Sequence, residues 1–106
     1  MDYREVARRF AEDVKKRLGE SVKEIILFGS VARGEYGENS DVDVLIVVEG
    51  DAWGAQKKAS DVVVDYIIEY GVYVSAKVIS VEEFELMKDL NTAFYKNIQR
   101  EGVLIG

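Results

Sequence analysis

The chain of 106 residues contains neither cysteine nor histidine. Without cysteine it can form no disulfide bond and no thiolate metal site, a composition that fits a cytoplasmic protein. Without either residue, any bound metal ion must be held by oxygen ligands, which favours Mg²⁺ or Mn²⁺ over zinc. We therefore expect a cytoplasmic protein in which any metal site is built from oxygen atoms.

Long hydrophobic runs and an excess of basic charge are missing as well. No apolar run reaches the roughly 18 residues that a membrane-spanning helix needs, and the charged N-terminus is unlike a signal peptide. The net charge of −6 weighs against nucleic acid as the main partner, because binding to its backbone depends on neutralising phosphates. The remaining composition, 48% apolar and 32% charged, predicts one domain over residues 1–106 with a single core.

Helical and extended patterns alternate along the chain. Helices are predicted at residues 2–18, between residues 53 and 70, after Ser80 through Leu90, and at residues 92–100, with one short helical turn at residues 30–33. Strands are predicted at residues 22–28, 42–48 and 72–79, before an apolar tail at residues 103–105. Strands that alternate with helices of crossover length predict an α/β (α+β) fold with a largely buried central sheet.

Local signals define the ends and faces of these helices. Asp2 with Glu5, and Ser80 with Glu83, have the spacing of a capping box, which predicts a helix start at each. Glycine is placed to end the first and third helices, at Gly19 and Gly71. The apolar side of the third helix is predicted to comprise Ala59, Val62, Val63, Tyr66, Ile67 and Tyr70.

The most informative segment is a Gly-Ser turn followed at fixed distance by paired carboxylates. The first strand ends at Gly29-Ser30, and after ten further residues Asp41-Val42-Asp43 opens the second strand. Because successive side chains of a strand point to opposite faces, the two aspartates share one face and can hold one Mg²⁺ or bridge two ions. Gly29 allows the backbone to approach a phosphate closely, and Ser30 adds a hydroxyl. Either half alone is a common turn or strand-entry pattern, but together they indicate phosphoryl or nucleotidyl transfer.

Residues 25–47 resemble the signature of the nucleotidyltransferase superfamily of DNA polymerase beta type, specifically its minimal members. That signature is an apolar strand, Gly-Ser, about ten residues and then Asp-x-Asp, and this chain adds matches at Ala32-Arg33-Gly34 and at Ser40. The resemblance extends from the first helix to the C-terminal tail. It implies the nucleotidyltransferase fold, a small mixed central sheet flanked by helices.

The resemblance also assigns roles to the residues of the signature. Asp41 and Asp43 would be the catalytic carboxylates and the Mg²⁺ or Mn²⁺ ligands, and Gly29 and Ser30 would cradle the β and γ phosphates of a nucleoside triphosphate.

Arg33 has two equally weighted interpretations, a phosphate contact or a surface ion pair with Glu35 or Glu38. Ser40 is predicted to cap the turn into the second strand rather than to contact substrate.

One position departs from the family pattern. Catalytic members usually carry a third carboxylate on the next strand, where it supports a second metal ion and the attacking hydroxyl, and that position is Ser75 here. Asp65 and Glu69 belong to the preceding helix and are predicted to face solvent. Lys77 shares the face of Ser75 and is expected to be a strand-edge lysine, with a phosphate contact as its alternative. The resemblance thus supports nucleotide binding more strongly than catalysis.

The minimal family members are typically paired with a separately encoded helical HEPN-domain protein and resemble antitoxins. Some transfer AMP from ATP to that partner and others act by contact, so the resemblance implies either AMP transfer to a partner hydroxyl or a catalytically impaired nucleotide-binding antitoxin. Residues 84–105 are apolar enough to dock such a partner or a second copy of the chain. The competing interpretation, which we favour, is that these residues close the core.

Overall fold

The computed structural model describes residues 2–106, and Met1 lies outside the described residues. Within this range the chain forms five α-helices and four strands. The helices are α1 (Tyr3–Leu18), α2 (Gly29–Arg33), α3 (Ala52–Tyr70), α4 (Val81–Asp89) and α5 (Ala93–Glu101). The strands are β1 (Val22–Phe28), β2 (Val42–Val48), β3 (Val74–Ser80) and β4 (Val103–Leu104). A 3-10 turn at Gly19–Ser21 joins α1 to β1.

The four strands form one mixed sheet in the order β3-β2-β1-β4. β2 pairs in parallel with β3, whereas β1 pairs antiparallel with both β2 and β4. β2 is central, and from Val44 to Val48 it is buried without interruption, which explains its continuous apolar sequence. The parallel step from β2 to β3 uses α3 as the crossover helix. The predicted α/β fold with a small mixed sheet flanked by helices is confirmed.

Helices cover both faces of the sheet. On one face, Phe10 of α1 and Ala59 of α3 pack with Ile46 of β2 in the larger hydrophobic cluster. On the other face, Ile98 of α5 packs with Leu45 of β2 in the smaller cluster. Asp41 and Asp43 have the same strand parity as Leu45, so they belong to the α5 face at the end of β2 where side chains remain accessible.

The predicted helix caps form as expected. The Asp2 carboxylate accepts hydrogen bonds from the backbone N–H groups of Arg4 and Glu5, at 3.0 and 3.4 Å, and starts α1. The Ser80 hydroxyl accepts from the Glu83 N–H at 3.0 Å and starts α4. Gly71 ends α3 in the left-handed region, at a φ of 66°, as glycine does without steric cost.

One sequence-based boundary and one helix-face assignment are wrong in detail. β3 begins at Val74 rather than at Val72, although the Val42 N–H already donates to the Tyr73 carbonyl at 3.1 Å. Ile67 is 45% exposed, because it lies about 100° around the helix from the buried Tyr66. The apolar tail predicted at residues 103–105 contains strand β4, in which residues 103 and 104 pair with β1.

The C-terminal region mostly closes the core, as the favoured interpretation predicted. Phe84, Phe94 and Ile98 pack in the cluster on the α5 face, whereas Leu90 and Leu104 are 67% and 66% exposed. Across residues 2–106, none of the helices combines the length and apolarity that crossing a bilayer would require.

Candidate active site

The sheet register brings the two halves of the Gly-Ser and Asp-x-Asp signature together. Phe28, the last residue of β1, pairs with Asp43 across the antiparallel ladder. Gly29 and Ser30 follow directly as the start of α2, so the turn lies beside the carboxylate. Ser75 pairs with Asp43 on its other side in the parallel ladder. Strand pairing therefore aligns Phe28, Asp43 and Ser75 across the sheet and brings Gly29, the next residue after Phe28, beside Asp43.

Gly29 is required by geometry on two counts. Its φ of 75° lies in the left-handed region that side chains rarely adopt. A Cβ atom added to Gly29 would overlap the Asp43 carboxylate, which lies against the glycine backbone. The turn predicted to hold phosphate and the strand predicted to hold metal are thus in direct contact.

α2 is held in place by α1 and by its own C-terminal turn. The Arg4 guanidinium donates to the Ala32 carbonyl at 3.0 Å, and the Glu35 N–H donates to the Ser30 carbonyl at 2.9 Å. Ser40 caps the following loop as predicted, because its hydroxyl accepts from the Gly37 N–H at 2.9 Å. The backbone of the turn and loop before Asp41 is therefore fixed by hydrogen bonds.

The paired aspartates carry unbalanced negative charge. Asp43 is half-buried, and loss of hydration raises the pKa of its carboxyl group, as do the nearby charges of Asp41 and Glu101, while Arg33 lowers it. Asp41, at the solvent end of the pair, is exposed. Binding of a cation between these carboxylates would relieve the repulsion.

The donor set fits a magnesium-type ion that shares its coordination with a substrate. Over residues 2–106, no group of three or more Asp, Glu, His or Cys side chains is arranged to hold a metal ion. Two carboxylates with the remaining positions filled by water and substrate phosphate is the usual mode for Mg²⁺ at nucleotide sites. With oxygen donors only, Asp41 and Asp43 suit Mg²⁺ or Mn²⁺ rather than zinc.

Arg33 pairs with two carboxylates, of which the sequence predicts only one. Its Nε donates to the Glu35 carboxylate at 3.0 Å, so of the two predicted alternatives Glu35 is the partner rather than Glu38. Its Nη1 also donates to both carboxylate oxygens of Glu101, at 3.0 and 3.2 Å. Glu101 additionally accepts the Gly29 N–H at 3.2 Å.

Glu101 contacts the site, although no sequence motif marks it. It is 68 positions from Arg33 and lies at the end of α5, where an acidic side chain has no local motif. The Arg33 guanidinium and the Gly29 N–H hold the pKa of the Glu101 carboxyl below its usual value. The packing of α5 on the sheet and the pairing of β4 with β1 bring Glu101 to the turn.

Ser75, two acidic residues of α3 and Lys77 all lie where the sequence predicts them. Ser75 lies beside Asp43, and β3 contributes no carboxylate there. Asp65 and Glu69 are exposed on α3. Lys77 belongs to the edge strand β3, and its Nζ lies 5.2 Å from the centre of the Phe94 ring rather than free in the site.

An open cavity of about 200 Å³ adjoins Asp41. It is bordered by loop and turn residues, namely Tyr3, Glu38, Asn39, Ser40, Gly71, Val72 and Tyr73. The ring centres of Tyr3 and Tyr36 lie 5.3 Å apart, so the loop residue Tyr36 packs against the start of α1.

A Gly-Ser turn against paired aspartates, on a mixed sheet flanked by helices, is the arrangement expected of a nucleotidyltransferase domain. Residues 7–105 match the family model described as "Nucleotidyltransferase domain". The chain therefore belongs to the nucleotidyltransferase domain family.

Two relatives from Methanocaldococcus jannaschii are each named "putative protein adenylyltransferase". One is 36% identical and the match covers 96% of both chains, and the other is 32% identical with 97% of this chain and 98% of the relative covered. Because the matched chains are equally short, the expectation of a minimal member of the superfamily is confirmed.

Two solved structures share the fold. One is described as a "putative nucleotidyltransferase" from Sulfolobus solfataricus, with a TM-score of 0.60, 23% identity, and coverage of 94% of this chain and 76% of that one. The other is described as a toxin-antitoxin with AMP-PNP, with a TM-score of 0.53, 18% identity, and coverage of 93% and 72%.

Proposed function

We propose that this protein transfers a nucleoside monophosphate, AMP from ATP, to a hydroxyl group on a partner protein. The observation that carries the proposal is the contact of the Asp43 carboxylate with Gly29, which joins the predicted metal and phosphate sites. The names of the Methanocaldococcus jannaschii relatives support adenylyl transfer to protein.

Substrate binding would use the turn and α2. The N–H of Gly29 and the hydroxyl of Ser30 bind the β and γ phosphates, and Arg33 adds a guanidinium that can contact two phosphate oxygens. A divalent cation, Mg²⁺ or Mn²⁺, when bound by Asp41 and Asp43, supplies positive charge to the triphosphate. Together these groups would hold the triphosphate beside Asp41 and Asp43.

The transfer step exchanges one phosphoester bond for another. The acceptor hydroxyl oxygen forms a bond to the α-phosphorus, the bond from that phosphorus to the α–β bridging oxygen breaks, and pyrophosphate leaves. The hydroxyl proton passes to water, because the side chain beside Asp43 on β3 is Ser75 rather than a carboxylate. Turnover is therefore expected to be slow.

The partner proposed is a separately encoded HEPN-domain protein, in a toxin–antitoxin pair located in the cytoplasm. A described toxin-antitoxin structure shares the fold and was solved with AMP-PNP, which supports both a protein partner and an adenine nucleotide.

A second candidate function is favoured by Ser75. Without a third carboxylate, the protein would bind nucleotide and silence its partner by contact alone. Replacing Ser75 with Asp separates the two candidates, because a carboxylate base contributes about 10²-fold or more where it takes part in proton transfer. A large gain in transfer rate for Ser75→Asp would mean that the natural site is catalytically impaired, whereas transfer by wild type with no gain in the variant would mean that the natural site needs no third acid.

The direct test is intact mass spectrometry of the protein encoded beside this one, after co-expression with wild type or with Asp41→Asn, Asp43→Asn. Wild type should add whole AMP masses to that protein, and the double variant should add none. Asp65→Asn, which changes an exposed carboxylate on α3, is the control and should modify the partner like wild type. Modification by the double variant would refute the assignment of the aspartates, and an unmodified partner that still co-purifies would favour the contact mechanism.

A further inference from the structure

The groups predicted to bind phosphate already bind an anion from the protein itself. Glu101 accepts the Gly29 N–H and two hydrogen bonds from Arg33, so one carboxylate engages two of the three proposed phosphate-binding residues. A carboxylate and a phosphate compete for such donors because both present paired anionic oxygens.

The backbone holds Glu101 in this position. α5 ends at Glu101, and two residues later Val103 pairs with Leu27, at the end of β1 that leads into Gly29. Gly102 between them is tightly enclosed, since a Cβ atom there would overlap the Ile98 carbonyl and the side chain of Ile26.

Glu101 is also mostly shielded from solvent. Its side chain is only 14% exposed, against 41% for Arg33. The Glu101 carboxylate is therefore held by its hydrogen bonds and largely excluded from solvent.

We infer that Glu101 is an internal competitor of the nucleotide, and that its carboxylate must leave Gly29 and Arg33 before a triphosphate can bind them. This inference rests on the proposed function. In the ligand-free protein, Glu101 occupies the Gly29 N–H and the Arg33 guanidinium. Nucleotide affinity is therefore lower than these two groups alone would allow.

The alternative role, a replacement for the missing third metal ligand, is less well supported. Both oxygens of Glu101 are already bonded to Arg33, and one also accepts from Gly29. Among the described residues, Glu101 does not join Asp41 and Asp43 in a three-carboxylate group suited to a metal. Its negative charge instead adds to the repulsion that an incoming triphosphate would meet.

The test is calorimetric titration of MgATP into wild type, Glu101→Gln and Glu101→Ala, with Glu85→Gln on the exposed side of α4 as the control. We expect both Glu101 variants to bind about fivefold more tightly, the upper end of what a surface ion pair with one partly shielded partner contributes, and the control to match wild type. Glu101→Gln keeps the shape of the side chain, so it remains informative if Glu101→Ala folds poorly.

The backbone amide resonance of Gly29 provides a second readout. In wild type it should shift when ATP displaces Glu101, and in ligand-free Glu101→Ala it should already differ from wild type. Binding by wild type with equal or weaker binding by both Glu101 variants would overturn this inference alone. Binding by none of the proteins would overturn the proposed function and, with it, this inference.

Discussion

The Asp43 carboxylate destabilises the folded state at neutral pH, although the proposed metal site requires it. Burial first, and then the charge of Asp41, raises the pKa of Asp43 above its usual value of 3.8. The folded state therefore holds the proton more tightly than the unfolded state, and this contribution to stability is present below pH 3.8 and is lost as the pH rises through the folded-state pKa.

A neutral replacement of Asp43 should therefore stabilise the fold at neutral pH. We expect Asp43→Asn to raise the melting temperature at pH 7, to have little effect below pH 3.8, and to abolish any stabilisation by added Mg²⁺. Thermal unfolding followed by circular dichroism at several pH values measures this. Asp65→Asn serves as the control, and a lower melting temperature for Asp43→Asn at pH 7 would contradict the account.

A second prediction concerns the stability of a Gly29 variant. Gly29→Ala places a side chain at a φ of 75° and against the Asp43 carboxylate, so we expect a loss of about 1–3 kcal/mol in the free energy of unfolding. Gly37→Ala is the matched control, because a Cβ there meets open space, and it should change stability by less than about 0.5 kcal/mol. Denaturant unfolding distinguishes them, and equal stability of the two variants would contradict the contact.

At the scale of elements, the edge of β3 is protected by a side chain of α3. The Gln56 amide donates to the Ala76 carbonyl at 3.2 Å and accepts from the Val78 N–H at 2.9 Å. These groups lie on the side of β3 that faces away from β2, so Gln56 occupies the place of a further strand.

Removing Gln56 should expose this edge. We expect Gln56→Ala to cost about 1–2 kcal/mol in unfolding free energy and to increase self-association, because two strand groups lose their partner. Denaturant unfolding and analytical ultracentrifugation would measure both effects against Gln99→Ala, an exposed position on α5. A Gln56→Ala protein with the same stability and the same association state as that control would exclude the role.

The elements that sequence patterns predicted well are those with local signals. β1 and β2 have the predicted bounds, and the Asp2 and Ser80 caps start their helices, because apolar runs and capping residues act within a few positions. Ser75, which the family resemblance identifies as the position of the missing third carboxylate, pairs with Asp43 in the β2–β3 ladder.

Long-range contacts were not accessible to the same reasoning. β4 is two residues long, and its pairing with β1 depends on how α5 packs, which no local pattern encodes. For the same reason the sequence does not predict the contact of Arg33 with Glu101, although it does predict an ion pair of Arg33 with a nearby glutamate.

At the scale of the whole molecule, the fold places every proposed site residue at the same end of the two central strands, β1 and β2. Gly29, Ser30 and Arg33 come from the turn after β1, and the aspartates come from the start of β2. The net charge of −6 offers little to neutralise a nucleic-acid backbone, which agrees with the proposal that the acceptor is another protein.

The central claim is that the turn and the paired aspartates form one site for nucleotide and metal. ATP affinity measured with and without Mg²⁺, for wild type and for Asp41→Asn, Asp43→Asn, tests it most directly. The account predicts that Mg²⁺ strengthens ATP binding by wild type and has no such effect on the double variant. Equal strengthening by Mg²⁺ in both proteins would contradict it.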